Sequence, residues 1–525
     1  MMERMALDQD HQIRLSEVVC IISLATDLGT GVPMGHAART CLLSLRVGRR
    51  LGLADPDLVD LYYMTLLRML GCTADSAESA EYFFDEIEFG RQTQHLDYGD
   101  PEAFGRWVAE SFASEKPAAE RERMLAKLFS YSPERRRAYL AGHCEVAQMF
   151  ATRLGMSAAV VEGLGHVFER WDGAGAPNQV GGEGTPLPAR IMNVCNELEI
   201  HHRLSGAEGA AAMARSRAGG QFDPAVVDAA LTDEGLFQEL APVSAWDAIV
   251  AAEPGRSRTL TLAGLEEAGR VIADFADLKS VFFTHHSSGV AELAAAAGRQ
   301  VGLDPPALAE LRVAALCHDL GRVTVSNAIW DKQGPLGDAE WEKVRLHPYY
   351  TERLLSRAPS LAGSARAAGG HHERLDGSGY HRGSPAVAQG GATRLLAAAD
   401  AYHAMTEARA HRPALAPDEA AAEMRREVAA GRLDPSATGA VLAQAGSAPG
   451  RLRRPWPAGL TPREVDVLRE IARGASIQAA AQALHISPKT ADFHLQNVYS
   501  KAGVTTRAAA TLFAIQNDLL VDAFD

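Results

Sequence analysis

The stretch GGHHERLDGSGYH (369–381) combines two adjacent histidines, several acidic and basic residues, and a glycine-rich turn. It is either a polar surface loop or one wall of a metal site, because imidazole and carboxylate groups bind metals and glycine permits tight turns. The remainder of the chain favours the second interpretation.

A related stretch, FERWDGAGAP (168–177), matches HERLDGSGYH (372–381) at an offset of 204 residues. Four further pairs match in the same order: PARIMNVCN (188–196) with ATRLLAAAD (392–400), QFDPAVV (221–227) with RLDPSAT (432–438), DLGTGVPMGH (27–36) with DLKSVFFTHH (277–286), and LLRMLG (66–71) with LCHDLG (316–321). Ordered matches of this kind indicate an internal duplication. Because the offset falls from 250 to 204, the first copy carries an extra segment, which we place within 90–140.

The second copy concentrates residues of metal-binding type. A single histidine in a helical protein is usually a surface or packed core residue, whereas seven metal-type groups in one segment, four of them in two adjacent pairs, indicate a common site. The seven are His286, His318, Asp319, His347, His371, His372 and Asp400. Imidazole with carboxylate suits iron, manganese or zinc, and a pair of such ions can clamp a phosphoryl group.

Residues 277–445 resemble the HD-GYP family of metal-dependent phosphodiesterases, a branch of the HD superfamily. The resemblance rests on His286, HDLGR (318–322), His347 before Pro348, HHERLDGSGYH (371–381), and Asp400 in AAADAYHAMT. It implies an all-helical fold, a centre of two or three metal ions, and hydrolysis of cyclic dinucleotides, chiefly cyclic di-GMP.

The same resemblance implies a role for each motif residue. It makes all seven residues metal ligands, with iron or manganese favoured and zinc as an alternative, and it makes DGSGY (376–380) the lip of the pocket. It implies catalytic roles for Asp319 and Arg322, and substrate contacts from Arg322, Tyr380, Arg409 and Arg412.

Four positions depart from the family pattern. Arg322 stands where lysine is usual; both are cations able to hold a phosphate, but a guanidinium is a wider fork. His381 replaces the proline of the GYP motif, and His403 replaces an aspartate usual three residues after the last metal aspartate. Some members have a glutamate ligand where this chain has Phe282, which favours two metal ions over three.

Projecting the seven positions onto the first copy retains only His36 and His143. The other five positions carry Arg68, Met69, Val167, Phe168 and Asn196. Apolar residues at ligand positions are typical of a packed core, so we predict a pseudo-domain without a metal site. Its role in packing, ligand binding without turnover, or dimerisation stays open. We interpret Glu197 and Glu199, beside Asn196, as part of a solvated face.

Beyond the second copy, GSAPGRLRRPWPAG (446–459) has the composition of a linker. The stretch that follows predicts a helix-turn-helix: Thr461-Pro462 begins one helix, Gly474 ends it, and Ser487 caps a helix that runs to about Ala502. It resembles the LuxR-type DNA-binding domain in LTPRE (460–464), Val467-Leu468, Gly474, ISPKT (486–490), His494, Lys501, Gly503 and Arg507.

The resemblance implies a recognition helix at 487–502 and dimerisation through the last helix. Residues 451–510 carry nine Lys/Arg and four Asp/Glu, a local charge that suits phosphate contacts. We predict DNA backbone contacts from Lys489, Thr490 and Lys501, and groove contacts from Asp492, Phe493 and Gln496. The alternative is a small trihelical interaction domain that does not bind DNA.

The whole chain has 525 residues and a net charge of −14, so DNA contact must come from a local segment. Its six scattered cysteines, the absence of a signal-like segment and the absence of long apolar runs predict a cytoplasmic protein with reduced thiols and no membrane partner. We predict an all-α chain with four parts: a degenerate HD-type domain at 15–245, an HD-type phosphohydrolase domain at 258–445, a linker at 446–457 and a LuxR-type domain at 458–522.

Three functions remain open at this stage. The chain is a homodimeric transcription regulator that also hydrolyses a nucleotide or other phosphoester, a receptor in which nucleotide occupancy alone controls DNA binding, or a phosphohydrolase whose last domain only oligomerises.

Overall fold

A computed structural model describes residues 13–74, 76–240, 245–445, 456–517 and 519–520, so most of the predicted linker lies outside the described residues. Within these ranges the chain forms α-helices, short 3-10 helices and isolated β-bridges, but no strand. The predicted all-α fold is therefore confirmed. None of these helices is long and apolar enough to cross a membrane. The chain divides into two compact units, one spanning Arg14–Thr259 and one beginning at Leu260.

The first unit is a bundle of helices with a long kinked member, α10, in which Gly206 has non-helical φ/ψ angles. Its helices are α1 (Leu15–Gly29), α2 (His36–Arg50), α3 (Asp55–Leu67), α4 (Ser76–Phe83), α5 (Glu86–Thr93), α6 (Pro101–Glu110), α7 (Ala118–Phe129), α8 (Pro133–Arg153), α9 (Ala158–Leu164), α10 (Leu187–Arg217), α11 (Pro224–Leu231) and α12 (Ala245–Ala251).

The second unit contains the second copy and the helix-turn-helix. Its helices are α13 (Leu262–Asp277), α14 (His286–Gln300), α15 (Pro305–Cys317), α16 (Asn327–Trp330), α17 (Asp338–Arg345), α18 (His347–Leu355), α19 (Ala362–Gly369), α20 (Gly391–Met405), α21 (Pro417–Ala429), α22 (Pro435–Ala445), α23 (Pro462–Ala472), α24 (Ile477–Ala483), α25 (Pro488–Ala502) and α26 (Arg507–Gln516).

Helix ends place the metal-type residues of the second unit. The Asp277 carboxylate accepts hydrogen bonds from the backbone N–H (2.9 Å) and the hydroxyl (2.7 Å) of Ser287, which stabilises the first turn of α14 at His286. α18 begins at His347-Pro348, since proline suits the first turn of a helix. Small buried residues along α14, such as Ala291 and Ala294, leave room for α15 and α20 to pack against it.

The two units repeat the same unusual contacts. Asp27 accepts from the backbone N–H of Ala37 in the first unit, as Asp277 does from Ser287 in the second. Glu169 accepts from two backbone N–H groups nine and eleven residues later, and Glu373 does the same. These recurrences support the duplication inferred from the sequence.

The extra segment of the first copy adds helices to the first unit. Between Gly71 and His143 the first unit holds α4–α7 and the start of α8, whereas the segment between Gly321 and His347 holds only α16 and α17 among its α-helices. The extra helices have their own core, which contains Trp107, Val108, Phe112 and Leu128. The four buried residues of this core lie within the predicted range 90–140, and partly buried Phe83 and Phe89 pack against them.

We expect Gly321→Ala to lower the free energy of unfolding by about 1–3 kcal/mol, because overpacking carries a cost of that size. A Cβ added at Gly321 would lie closer than 3.0 Å to the carbonyl group of His347, and one at Gly71 would do the same to His143. Denaturant unfolding of metal-free protein, followed by circular dichroism, measures the change. Gly439→Ala in α22 is the matched control, since a Cβ there meets nothing within 4 Å. An unchanged Gly321→Ala midpoint would contradict the need for this close backbone approach.

Candidate functional site

All seven metal-type residues of the second copy converge in the interior of the second unit. Six of them are no more than 2 % exposed, and His372 is half-buried at the mouth. The ligand-type atoms come from the first residue of α14, the end of α15, the first residue of α18, the turn after α19 and the middle of α20. The adjacent pairs in the sequence therefore mark places where helices end around one buried point.

Asp319 lies at the centre of this cluster. Its Oδ2 lies 2.8 Å from Nε2 of His318 and 3.3 Å from Nε2 of His286. Its Oδ1 lies 3.3 Å from Nε2 of His347 and 3.6 Å from Nε2 of His371. Because its two oxygens face different pairs of histidines, the carboxylate has the arrangement expected of a bridge between two ions.

Asp400 is the second carboxylate beside His286 in the cluster. Its Oδ1 lies 3.1 Å from Nε2 of His286 and 3.7 Å from Nε2 of His318, and its Oδ2 lies 3.7 Å from Nδ1 of His372. The cluster thus separates into two halves that share Asp319. One half contains His286, His318 and Asp400, and the other contains His347, His371 and His372.

Backbone carbonyls fix the protonation of three histidines. Nδ1 of His318 lies 2.7 Å from the Ala315 carbonyl oxygen, and Nδ1 of His347 lies 2.7 Å from that of Val344. His371 makes the same bond to the carbonyl three residues before it. Because a carbonyl only accepts, each Nδ1 must carry a proton, and Nε2 is the nitrogen that faces the site and can bind a cation when the ring is neutral.

The donor set fits divalent cations. The buried Nε2 of His318 and both carboxylate oxygens of Asp319 have no hydrogen-bond partner among the described residues. Nε2 of His347 and Nε2 of His371 face each other at 3.2 Å, although both nitrogens are acceptors when Nδ1 donates. Unpaired buried acceptors are costly, and cations held between them would remove that cost.

The pKa values of the site residues are strongly shifted by their neighbours. Burial lowers the pKa of His286 and His318, but the surrounding carboxylates together outweigh it and raise these pKa values to about 10 and about 9. They are Glu407, Asp319 and Asp400 at His286, and Asp319 and Asp400 at His318. Burial raises the pKa of Asp319, but Arg322 and His318 hold that pKa well below its usual range. By contrast, burial lowers the pKa of His347 to about 4. The two halves of the cluster therefore differ in how strongly carboxylates act on their histidines.

Arg322 and Tyr380 have the positions expected of substrate-binding groups. Nη2 of Arg322 lies 2.7 Å from Asp319, while its Nε and Nη1 have no hydrogen-bond partner in the described part of the chain. The guanidinium packs 4.2 Å from the ring centroid of Phe283, so its free N–H groups remain at the cluster. The Tyr380 ring packs on His372 with centroids 4.6 Å apart and lines the mouth of the site.

The other two predicted substrate contacts are engaged elsewhere. Arg412 donates hydrogen bonds to the backbone carbonyls of Ala404, Met405, Glu407 and Pro413, which hold the end of α20, and its contact with substrate stays a prediction.

Arg409 is also committed to protein groups. Its Nη1 donates to the carbonyl of Phe282 and its Nη2 donates to Glu407 at 2.9 Å. Its guanidinium lies 5.2 Å from the Phe283 ring centroid. Arg409 thus forms an internal ion pair beside the metal-type cluster, and its contact with substrate stays a prediction.

Sequence reasoning missed Glu407, whose Oε2 lies 2.8 Å from Nδ1 of His286. His403, which was noted only as a departure, lies with Nδ1 3.1 Å from the other oxygen of Glu407. His403 lies in the last turn of α20 and Glu407 lies beyond its end, so no helical periodicity in the sequence marks this pair.

The equivalent positions of the first unit form a different network. Nε2 of His36 lies 2.9 Å from Oδ1 of Asn196, and the Arg68 guanidinium donates to the same oxygen. His143 bonds the backbone carbonyl of Arg68 at 2.9 Å, and the ring of Phe168 packs edge-on against it. A guanidinium thus lies among the former ligand positions.

Glu197 and Glu199 do not form a solvated face, and that interpretation is corrected. Glu199 is 1 % exposed and lies 2.6 Å from Nε of Arg39, and Glu197 is 9 % exposed and lies 3.1 Å from Nη1 of Arg217. Buried carboxylates need such partners, and the arginines that supply them are distant in sequence.

The helix-turn-helix presents most of its predicted contacts to solvent. Ser487 caps α25 by accepting from the Thr490 backbone N–H at 3.1 Å. Lys489, Asp492 and Gln496 are exposed, and the Phe493 side chain is 61 % exposed, which is high for an aromatic residue. These side chains stand on the outer face of the predicted recognition helix.

Lys501 is exposed as well, but it is also paired with a carboxylate. Its ammonium lies 2.9 Å and 2.7 Å from the two carboxylate oxygens of Glu464, whose own side chain is 4 % exposed. The same carboxylate accepts from the backbone N–H of Thr461 at the start of α23. Lys501 therefore forms an ion pair that joins α25 to α23, and its contact with a DNA phosphate stays a prediction.

Comparison with known proteins agrees with these motifs. A family model described as "HD domain" matches residues 123–226 and 270–437, and a model described as "Bacterial regulatory proteins, luxR family" matches residues 458–514. The chain is 46 % identical over 61 residues to the probable transcriptional regulatory protein NarL of Mycobacterium tuberculosis, over 12 % of this chain and 28 % of that protein.

Similarity to one enzyme extends over most of the chain. The chain is 30 % identical over 419 residues to the 3'3'-cGAMP-specific phosphodiesterase 3 of Vibrio cholerae, which covers 79 % of this chain and 91 % of the relative. A crystal structure of a cyclic GMP-AMP-specific phosphodiesterase of V. cholerae aligns with a TM-score of 0.58 and 26 % identity, over 83 % of this chain and 99 % of that one. The chain therefore belongs to the HD-domain family of metal-dependent phosphohydrolases and also carries a luxR-family domain at residues 458–514.

Proposed function

We propose that the second unit hydrolyses a cyclic dinucleotide at a two-metal centre and that the luxR-family domain binds DNA, so that the chain is a transcription regulator with a phosphodiesterase site. The observation that carries this proposal is the convergence of four imidazole Nε2 atoms on the buried Asp319 carboxylate. Such a set holds metal ions rather than packing a core.

His286, His318, Asp319 and Asp400 would hold one ion, and Asp319, His347, His371 and His372 the other. Two ions held there would lower the pKa of a water molecule and neutralise the charge of a phosphodiester. Manganese and iron suit this mixture of imidazole and carboxylate, with zinc as an alternative. The Arg409 guanidinium, 3.3 Å from Nδ1 of His286, together with Phe282, favours two ions over three.

Arg322 would bind a phosphate oxygen through its free Nε and Nη1 while Nη2 stays on Asp319. Tyr380, at the mouth, would contact the remainder of the nucleotide. The relative that matches most of the chain is named for 3'3'-cGAMP, which makes this compound the first substrate to test, with cyclic di-GMP beside it.

DNA binding would use the exposed face of α25. Lys489 and Thr490 stand at the start of the helix, where phosphate contacts are favoured, and Asp492, Phe493 and Gln496 follow on the same outer face. A homodimer would give the module two half-sites, and a reduced cytoplasmic location suits six free cysteines. Nucleotide at the second unit would then bias DNA binding.

We expect protein loaded with Mn²⁺ or Fe²⁺ to release linear products from 3'3'-cGAMP or cyclic di-GMP, and Asp319→Ala to lower kcat/KM at least 1,000-fold, because the shared carboxylate is lost. Arg322→Met should mainly raise KM, since the phosphate loses a charged partner. Chromatographic assay of products measures both. Arg425→Met, which removes an exposed arginine of α21, is the control and should leave the rates unchanged. Metal-loaded wild type that hydrolyses neither compound would refute the proposed substrates.

We expect Gln496→Ala to relax sequence preference and Lys489→Ala to weaken binding to all sequences, with a salt slope smaller by about 1. A site selected from randomised duplex DNA, followed by binding titrations at several salt concentrations, measures both effects. A wild-type chain that selects no sequence and binds duplex DNA no better than bovine serum albumin would contradict the regulatory function.

We expect Lys501→Met to lower the stability of the helix-turn-helix by about 1–3 kcal/mol, because the buried Glu464 carboxylate loses its cation. Thermal unfolding of the full chain measures the change. The salt dependence of DNA binding should stay as in wild type. If Lys501→Met reduces the salt slope as much as Lys489→Ala does, Lys501 contacts a DNA phosphate, as the sequence predicts.

A further inference from the structure

His286 is held by a different kind of partner from the other buried histidines of the centre. His318, His347 and His371 donate Nδ1–H to backbone carbonyls, which are neutral acceptors. Nδ1 of His286 faces a carboxylate oxygen of Glu407 at 2.8 Å, while its Nε2 points at Asp400. This histidine alone among the four therefore has an anion behind it.

Glu407 is itself held in place on both sides. His403 lies 3.1 Å from its Oε1, and Nη2 of Arg409 donates to its Oε2 at 2.9 Å. The His403 ring stands over Gly289, where an added Cβ would overlap it, so the glycine one turn after His286 leaves the space that the ring needs. The His403 and His286 rings lie 5.5 Å apart, edge to face.

A carboxylate behind a ligand imidazole has two physical effects. It fixes the ring and its tautomer, and it makes the far nitrogen a stronger donor, so that loss of such a partner typically weakens metal affinity by about 10–100-fold. Among the described residues of the centre, only the half with His286 combines this support with the two carboxylates of Asp319 and Asp400. The other half contributes three histidines and shares one carboxylate.

We propose that Glu407 is the positioning residue for His286, and that it makes the half of the centre containing His286, His318 and Asp400 the tighter of two unequal metal positions. The proposal rests on the metal centre proposed above. Glu407 touches no reacting atom in this assignment; it acts through the imidazole and through the order in which the two ions are bound.

The test compares metal-free full-length protein titrated with Mn²⁺ in a calorimeter, with manganese per chain measured after dialysis. Wild type should bind two ions in two resolved steps. Glu407→Gln keeps the shape and an acceptor oxygen but loses the charge, and should weaken the first step about 10-fold. Glu407→Ala loses both, and should weaken that step about 100-fold. In both variants the second step should stay within about twofold of wild type.

Glu423→Gln is the matched control, because Glu423 also pairs with an arginine three residues along, on α21. It should bind both ions as wild type does. Equal weakening of both steps in Glu407→Gln, or no weakening of either, would overturn the positioning role, since general loosening affects the whole centre. If wild-type protein binds no Mn²⁺, the proposed metal centre is refuted, and the role of Glu407 is refuted with it.

Discussion

The buried carboxylate of Asp319 is the constraint around which the second unit is arranged. A fully enclosed carboxylate must be compensated by cations or donors, and four imidazoles and a guanidinium lie around it. Those groups come from residues far apart in sequence, so α14, α15, α18 and α19 must all end or begin near one point. The fold and the chemistry of this unit therefore both require these helix ends to surround the Asp319 carboxylate.

The first unit has the same arrangement of helix ends but different residues at its centre. Arg68 replaces the first residue of the His-Asp pair and brings a permanent positive charge to the ligand positions. Asn196 replaces the last aspartate and accepts from both His36 and Arg68, so fewer negative charges need compensation. Helix ends and close backbone contacts are retained, as at Gly71 and Gly321. The scaffold is thus stable with or without ligand chemistry at its centre.

The sequence predicted the all-α fold, both families and the set of residues that meet at the centre, because adjacent histidines and repeated motifs can be recognised in the sequence itself. It did not predict the partners of long side chains. Arg412 binds backbone carbonyls, which carry no sequence signal, and Lys501 and Glu464 are 37 residues apart. Glu197 and Glu199 were read as exposed for the same reason, since their arginines lie on other helices or far along the same one.

The Lys501–Glu464 pair affects how the helices of the luxR-family domain can move. It fastens the far end of the reading helix to the start of α23, while Arg507 donates to the Ile471 carbonyl and Arg469 to that of Leu519. These contacts join both ends of α23 to α25, to α26 and to the residue Leu519 beyond it. A displacement of α23 would therefore be transmitted to the exposed face of α25 without any change in the side chains on that face.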